Sequence, residues 1–147
     1  VAAAVADSFA GTVRGRVRAG TGQAQAGDRV AQISVASARA VAELVCEGLV
    51  TGARAFSRRV AEGKVVTLDE RAAFRMRIAK SASIVLAESQ AAFRAIGGSL
   101  LPTGSVMERQ FRDLHAMSSH FLLQEDVIGE LQGRLLLGLD LPPNARI

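Results

Sequence analysis

The 147-residue sequence predicts an all-α fold, an antiparallel four-helix bundle. Three observations carry that expectation. Apolar residues recur at i+3 and i+4 steps over long stretches. Only 3 prolines interrupt the chain, and glycine or capping residues fall at the ends of the periodic runs. Aromatic residues are 4%, with no Trp and no Tyr, against abundant alanine, a composition suited to closely packed helices and not to a sandwich or barrel.

The first helix is expected from Val1 to Arg18, with Val5, Phe9, Val13 and Val17 on one face, and it stops at Gly20 and Gly22. The apolar run begins at Val1 itself with no Met, cap or Pro before it, so the sequence reads as a cut through a helix of a longer protein. Gln23 to Gly27 forms a small-residue loop. Asp28 is the N-cap of a second helix running to Glu62 and stopped by Gly63. Val30, Ile33, Ser37, Val41, Leu44 and Gly48 make one stripe on it, and Val35, Ala38, Ala42, Val45 and Leu49 another, which predicts burial on two sides. Arg58 and Arg59 suit its C-terminal dipole.

Thr67 and Glu70 form a capping box that opens a third helix, which runs to Ile96 and ends at Gly97-Gly98. Its inward stripe passes through Ala73 or Phe74, the Arg77 stem or Ile78, then Ser81, Val85, Glu88 or Ser89, and Ala92. Ser105 and Glu108 open a fourth helix by the same device. A bend at Ser118-Ser119-His120 precedes a last amphipathic segment, Val127, Leu131, Leu135 and Gly138, and Pro142-Pro143 follow the end of all helix. No segment reads as a strand. Helices of about 30 residues joined by short loops pack antiparallel.

Composition excludes several classes of function. Mean hydropathy of +0.22 with 49% apolar residues is not that of a disordered chain. A net charge of +4 comes from arginines interspersed with Asp and Glu, and no aromatics interleave to stack on bases, so a nucleic-acid partner is not expected. The single cysteine, Cys46, implies no disulfide framework, suits a reducing, cytoplasmic setting, and reads as a buried small hydrophobe. No run of about 18 apolar residues predicts a membrane span.

The one unusual region lies between Ile96 and Gly138. Arg109, Asp113, Ala116 and His120 fall at i, i+4, i+7 and i+11, on one face of the fourth helix. That face offers a cation, a carboxylate, a gap and an imidazole. His115 stands about 140° away on an ideal helix. Met107, Phe111, Leu114 and Phe121 make the packing side. On spacing alone, Arg109 and Asp113 also fit an ordinary ion pair, His120 a core or interface histidine, and Gly97-Gly98 a plain helix stop. Two histidines cannot supply a three-histidine metal site, and no metal is expected.

Ile96-Gly97-Gly98, followed about ten residues later by Glu108-Arg109-Gln110-Phe111-Arg112-Asp113, resembles the C-terminal helical domain of the acyl-CoA dehydrogenase superfamily, where a Gly-Gly turn precedes an E-R-x-x-R-D signature. Continuing through Leu114 to His120 and then Gly133 to Leu139, the sequence is similar to the flavin-dependent, two-component monooxygenase branch. That branch includes p-hydroxyphenylacetate, steroid-ring and polyketide aromatic hydroxylases, and sugar nitrososynthases. Where many dehydrogenases of the superfamily carry a glutamate base, nine positions after Arg112, this chain has Phe121. His120 falls where the monooxygenase branch has a histidine. Arg94 departs from the Gln usual in dehydrogenases three positions before the glycine turn.

The resemblance implies a reaction in which a separate flavin reductase supplies reduced flavin, FMN or FAD. Oxygen adds at flavin C4a to give a hydroperoxide, which hydroxylates a small aromatic or polyketide-like substrate. It casts His120 as the acid–base or hydrogen-bonding catalytic residue, and Arg109, Asp113, Gly97 and Gly98 as flavin-binding positions. It also implies a homo-oligomer, a tetramer, and an upstream helical domain and β-barrel, so that the 147 residues alone would be inactive. Acyl-CoA dehydrogenases and amino-sugar N-oxygenases of the same superfamily are the alternatives within the resemblance. A non-catalytic helical oligomerisation module is the alternative outside it.

Overall fold

A computed structural model describes residues 2–18, 20–97 and 102–146. Five helices appear where four were expected: α1 Ala2–Gly15, α2 Arg29–Ala61, α3 Leu68–Ile96, α4 Val106–Ser118 and α5 Glu125–Leu136. The fourth expected helix divides because α4 ends at the Ser118–Ser119 pair and a 3-10 turn, Phe121–Leu123, intervenes before α5.

α1 buries Val5, Ala6, Phe9 and Val13, as its spacing requires, but it ends three residues before Arg18. There the backbone turns extended and pairs with the returning loop, through Arg18 N–H to the Gln23 carbonyl at 2.8 Å and Gln25 N–H to the Arg16 carbonyl at 2.9 Å. Val17 therefore leaves the apolar face, forms an isolated antiparallel bridge with Ala24, and is exposed. Asp28 caps α2 by accepting from Val30 N–H at 3.0 Å, and is held in place by Arg18 at 3.0 Å.

α2 is buried on one side, not two. Ala31, Ala38, Ala42 and Gly52 are inside, whereas Val30, Ile33 and Leu44 stand 53%, 57% and 70% exposed. Cys46, expected inside, is exposed as well. The helix enclosed by others is α3, which packs against α1, α2, α4 and α5. It can do so because its inward positions are mostly small: Ala72, Ala79, Ala82, Val85, Ser89 and Ala92, with Phe93. The Thr67–Glu70 capping box is complete, with Glu70 N–H donating to the Thr67 hydroxyl at 3.2 Å and Thr67 N–H to the Glu70 carboxylate at 2.9 Å.

The main core joins Val5, Phe9, Val13, Val85, Phe93, Met107 and Leu114. A smaller cluster of Ala79, Ile128 and Leu131 seats α5 on α3. No helix among the described residues is long and apolar enough to cross a membrane.

Candidate functional site

α4 is positioned by its apolar side. Met107 and Leu114 are buried, and the Phe111 ring meets Phe93 edge-on at 4.4 Å, while Phe93 meets Phe9 at 4.9 Å. This chain of rings fixes the rotation of α4 about its axis. Arg109, Asp113 and Ala116 consequently face outward together, as their spacing requires. Phe121 does not join the packing side; it is 57% exposed.

The N-terminus of α4 is capped by Ser105, whose hydroxyl accepts from Glu108 N–H at 3.1 Å. Glu108 turns its carboxylate toward Arg112 at 3.2 Å, and the structure shows only the Ser105 half of the expected box. Arg109 and Asp113 form no ion pair among the described residues. The Arg109 guanidinium is exposed and open to an anion from outside.

His120 is not on α4. The Ser118 and Ser119 hydroxyls donate to the His115 carbonyl at 3.1 Å and 2.8 Å, and Ser119 N–H reaches the same oxygen at 3.1 Å. Local hydroxyl bonding of this kind competes with helix continuation. His120 then adopts φ −67° and ψ 133°, an extended conformation, and N-caps the 3-10 turn. Its Nδ1 accepts from Leu122 N–H at 3.3 Å, and its ring lies 5.0 Å from that of Phe121. The imidazole is exposed on the chain as described.

His115 has a different setting. It is half-buried between α3 and α4, with Phe111 edge-on at 4.5 Å and its Nε2 3.4 Å from Gln90 Nε2. Its contacts are those of a packing residue.

Gly97 ends α3 with φ +101°, donating to the Phe93 carbonyl at 2.9 Å, and the space a Cβ would occupy is open. Gly98 lies outside the described residues. The exposed Arg109 fork suits an anionic group; the Gly97 N–H is already engaged by the Phe93 carbonyl, so what Gly97 offers is space and not a free donor. No group of three or more His, Cys, Asp or Glu among the described residues could hold a metal ion.

Sequence reasoning missed two residues. Arg75, on α3, donates from Nε to the Leu122 carbonyl at 3.4 Å and from a terminal nitrogen to the Arg146 carbonyl. Gln90 meets His115. Neither pairing has a signal in local spacing, because the partners lie on separate elements.

The acyl-CoA dehydrogenase, C-terminal domain family matches residues 1–125. The FADH(2)-dependent resorcinol hydroxylase, oxygenase component, of Rhizobium sp. (strain MTP-10005) is 31% identical over 142 residues, covering 94% of this chain and 35% of that protein. The crystal structure of the HsaA monooxygenase from M. tuberculosis superposes with a TM-score of 0.74 at 22% identity, over 97% of this chain and 36% of that one. The chain thus spans about a third of the length of these relatives.

Proposed function

The chain belongs to the acyl-CoA dehydrogenase C-terminal domain family, and from that premise we propose that it is the C-terminal domain of the oxygenase component of a two-component, reduced-flavin-dependent aromatic hydroxylase. The observation that carries this reading is the 31% identity, over nearly the whole chain, to an oxygenase component that hydroxylates resorcinol. Phe121, which has no group that can take a proton, counts against the dehydrogenase alternative.

Reduced flavin, when bound, supplies the activation of oxygen. This chain's residues do the rest of what is proposed for it. Arg109 binds the phosphate end by charge-assisted hydrogen bonds, the Gly97 turn leaves room for the cofactor because no side chain stands there, and Asp113 is placed to meet a ribose hydroxyl. His120 orients the phenolic substrate by a hydrogen bond. Because His120 and Arg109 are exposed on this chain, water is excluded from the reacting centre only where further protein covers this face. The flavin and substrate sites are completed by an upstream domain and by neighbouring subunits, so the 147 residues alone do not turn over. The exposed apolar side chains of α2 and the Leu136–Leu139 end are the surface on which a homo-oligomer, a tetramer by resemblance, assembles. A separate reductase delivers the reduced flavin.

The test uses the full-length protein with reduced FAD or FMN, oxygen and a panel of phenols. Hydroxylated product is expected. Oxidation of an acyl-CoA with an electron acceptor, and no phenol hydroxylation, overturns the reading.

A further inference from the structure

The contacts that hold His120 also decide which of its nitrogens carries the proton. Leu122 N–H donates to His120 Nδ1, and a neutral imidazole that accepts at Nδ1 carries its hydrogen on Nε2. Nε2 has no partner among the described residues, so the nitrogen left for a ligand is a donor. Leu122 is in turn held from α3, where Arg75 Nε donates to its carbonyl at 3.4 Å. The same guanidinium also donates to the Arg146 carbonyl, which draws the C-terminal tail onto this turn. On the other side, the two serine hydroxyls on the His115 carbonyl end α4 at Ser118, two residues before His120.

We propose that Arg75 and the Leu122 backbone form a positioning unit that presents His120 to the substrate as an Nε2–H hydrogen-bond donor and not as a proton acceptor. The inference rests on the functional reading of His120 above. To accept a proton at Nε2, the ring would have to carry its own hydrogen on Nδ1. That hydrogen would then confront Leu122 N–H, and the cap of the 3-10 turn would be lost. A donor at Nε2 suits an oxygen that has already become negative, such as a phenolate, and stabilises charge there without moving a proton. Arg75 touches neither substrate nor flavin in this scheme; it acts through the turn.

The tautomer is measurable without flavin or substrate. In full-length protein labelled with 15N-histidine, solid-state NMR distinguishes protonated from unprotonated ring nitrogens, and subtraction of the His120→Gln spectrum assigns the His120 signals. The expected result is protonated Nε2 and unprotonated Nδ1. Arg75→Gln should mix the tautomers and slow hydroxylation about 10- to 100-fold, the scale of a misplaced reacting group, with flavin affinity unchanged. Arg75→Lys keeps one donor and should recover most of both properties. A wild-type His120 protonated at Nδ1 overturns the proposal even if Arg75→Gln fails to fold. So does a folded Arg75→Gln with unchanged tautomer and rate. Failure of the underlying reading shows separately: His120→Gln that hydroxylates normally removes His120 from the reaction, whatever its tautomer.

Discussion

His120 and His115 are five residues apart and have opposite surroundings. His120 is exposed on a turn, and if the proposed function holds, replacing it with Asn in the full-length protein should leave flavin bound but shift oxygen use from product to hydrogen peroxide. The product-forming step should slow by about 10²-fold or more, the usual effect of removing one well-placed donor or acid–base group. The check is the product-to-peroxide ratio together with flavin affinity; an unchanged ratio returns His120 to a structural role. His115 lies against Phe111 and Gln90. His115→Asn should lower stability by about 1 kcal/mol, the worth of one modest hydrogen bond and a ring contact, and leave the ratio as it was. Gly52 is the third informative residue. A Cβ there would stand 2.4 Å from the Phe74 ring, itself packed on Phe56 at 4.8 Å. Overpacking of about 1–3 kcal/mol outweighs a helix-propensity gain of about 1 kcal/mol, so Gly52→Ala should lower the urea midpoint.

At the scale of elements, the α2–α3 connection depends on the Thr67–Glu70 box. Thr67→Ala should cost about 1 kcal/mol, read as a shift in urea midpoint. Glu70 also confers a pH dependence. Hydrogen bonds from the Thr67 backbone and hydroxyl, with Arg59 at 3.1 Å, hold its carboxyl below the ordinary glutamate range. Glu125, at the start of α5, is held down by Lys80 of α3 at 2.5 Å. For both groups the native state binds fewer protons than the unfolded state near the carboxylate pKa. Their contribution is therefore complete above the unfolded glutamate value of about 4.3 and is lost as pH falls through the lower native values. The acid limb of a stability–pH curve should flatten in Glu70→Gln, which retains an oxygen for the cap. A curve identical to wild type would show that the carboxylate's charge contributes nothing.

For the whole molecule, the decisive feature is the apolar surface left over. Leu44, Leu136 and Leu137 are 70%, 78% and 75% exposed, more than one bundle hides. An open groove of about 300 Å³, the size of a small-molecule cleft, runs between α2 and α3 beside Leu44, lined by Val41, Val45, Leu49 and Ile84. The full-length protein should sediment as an oligomer at micromolar concentration. Leu44→Asp should dissociate it, because an unpaired charge is costly in an apolar contact. A wild-type protein that sediments as a monomer refutes the assembly.

Helix class, the capped starts at Asp28, Thr67 and Ser105, the glycine stop at Gly63 and the outward set Arg109, Asp113 and Ala116 were all legible in the sequence, because each depends on neighbours within about one turn. The relation to flavin monooxygenases was legible for another reason: Glu108 to Asp113 and His120 form a recognisable signature. Tertiary structure decided the rest. The same 3.6-residue periodicity marks both stripes of α2 but does not say whether a partner helix exists to cover the second; α3 took the enclosed position because its alanines and Ser89 admit neighbours closely. The break that frees His120 from its helical register rests on serine hydroxyls that could equally have faced water. Its anchoring by Arg75 joins residues 47 positions apart. Local propensity sets which segments become helix, and only the packing of one segment on another sets which face is buried and which side chain a distant arginine reaches.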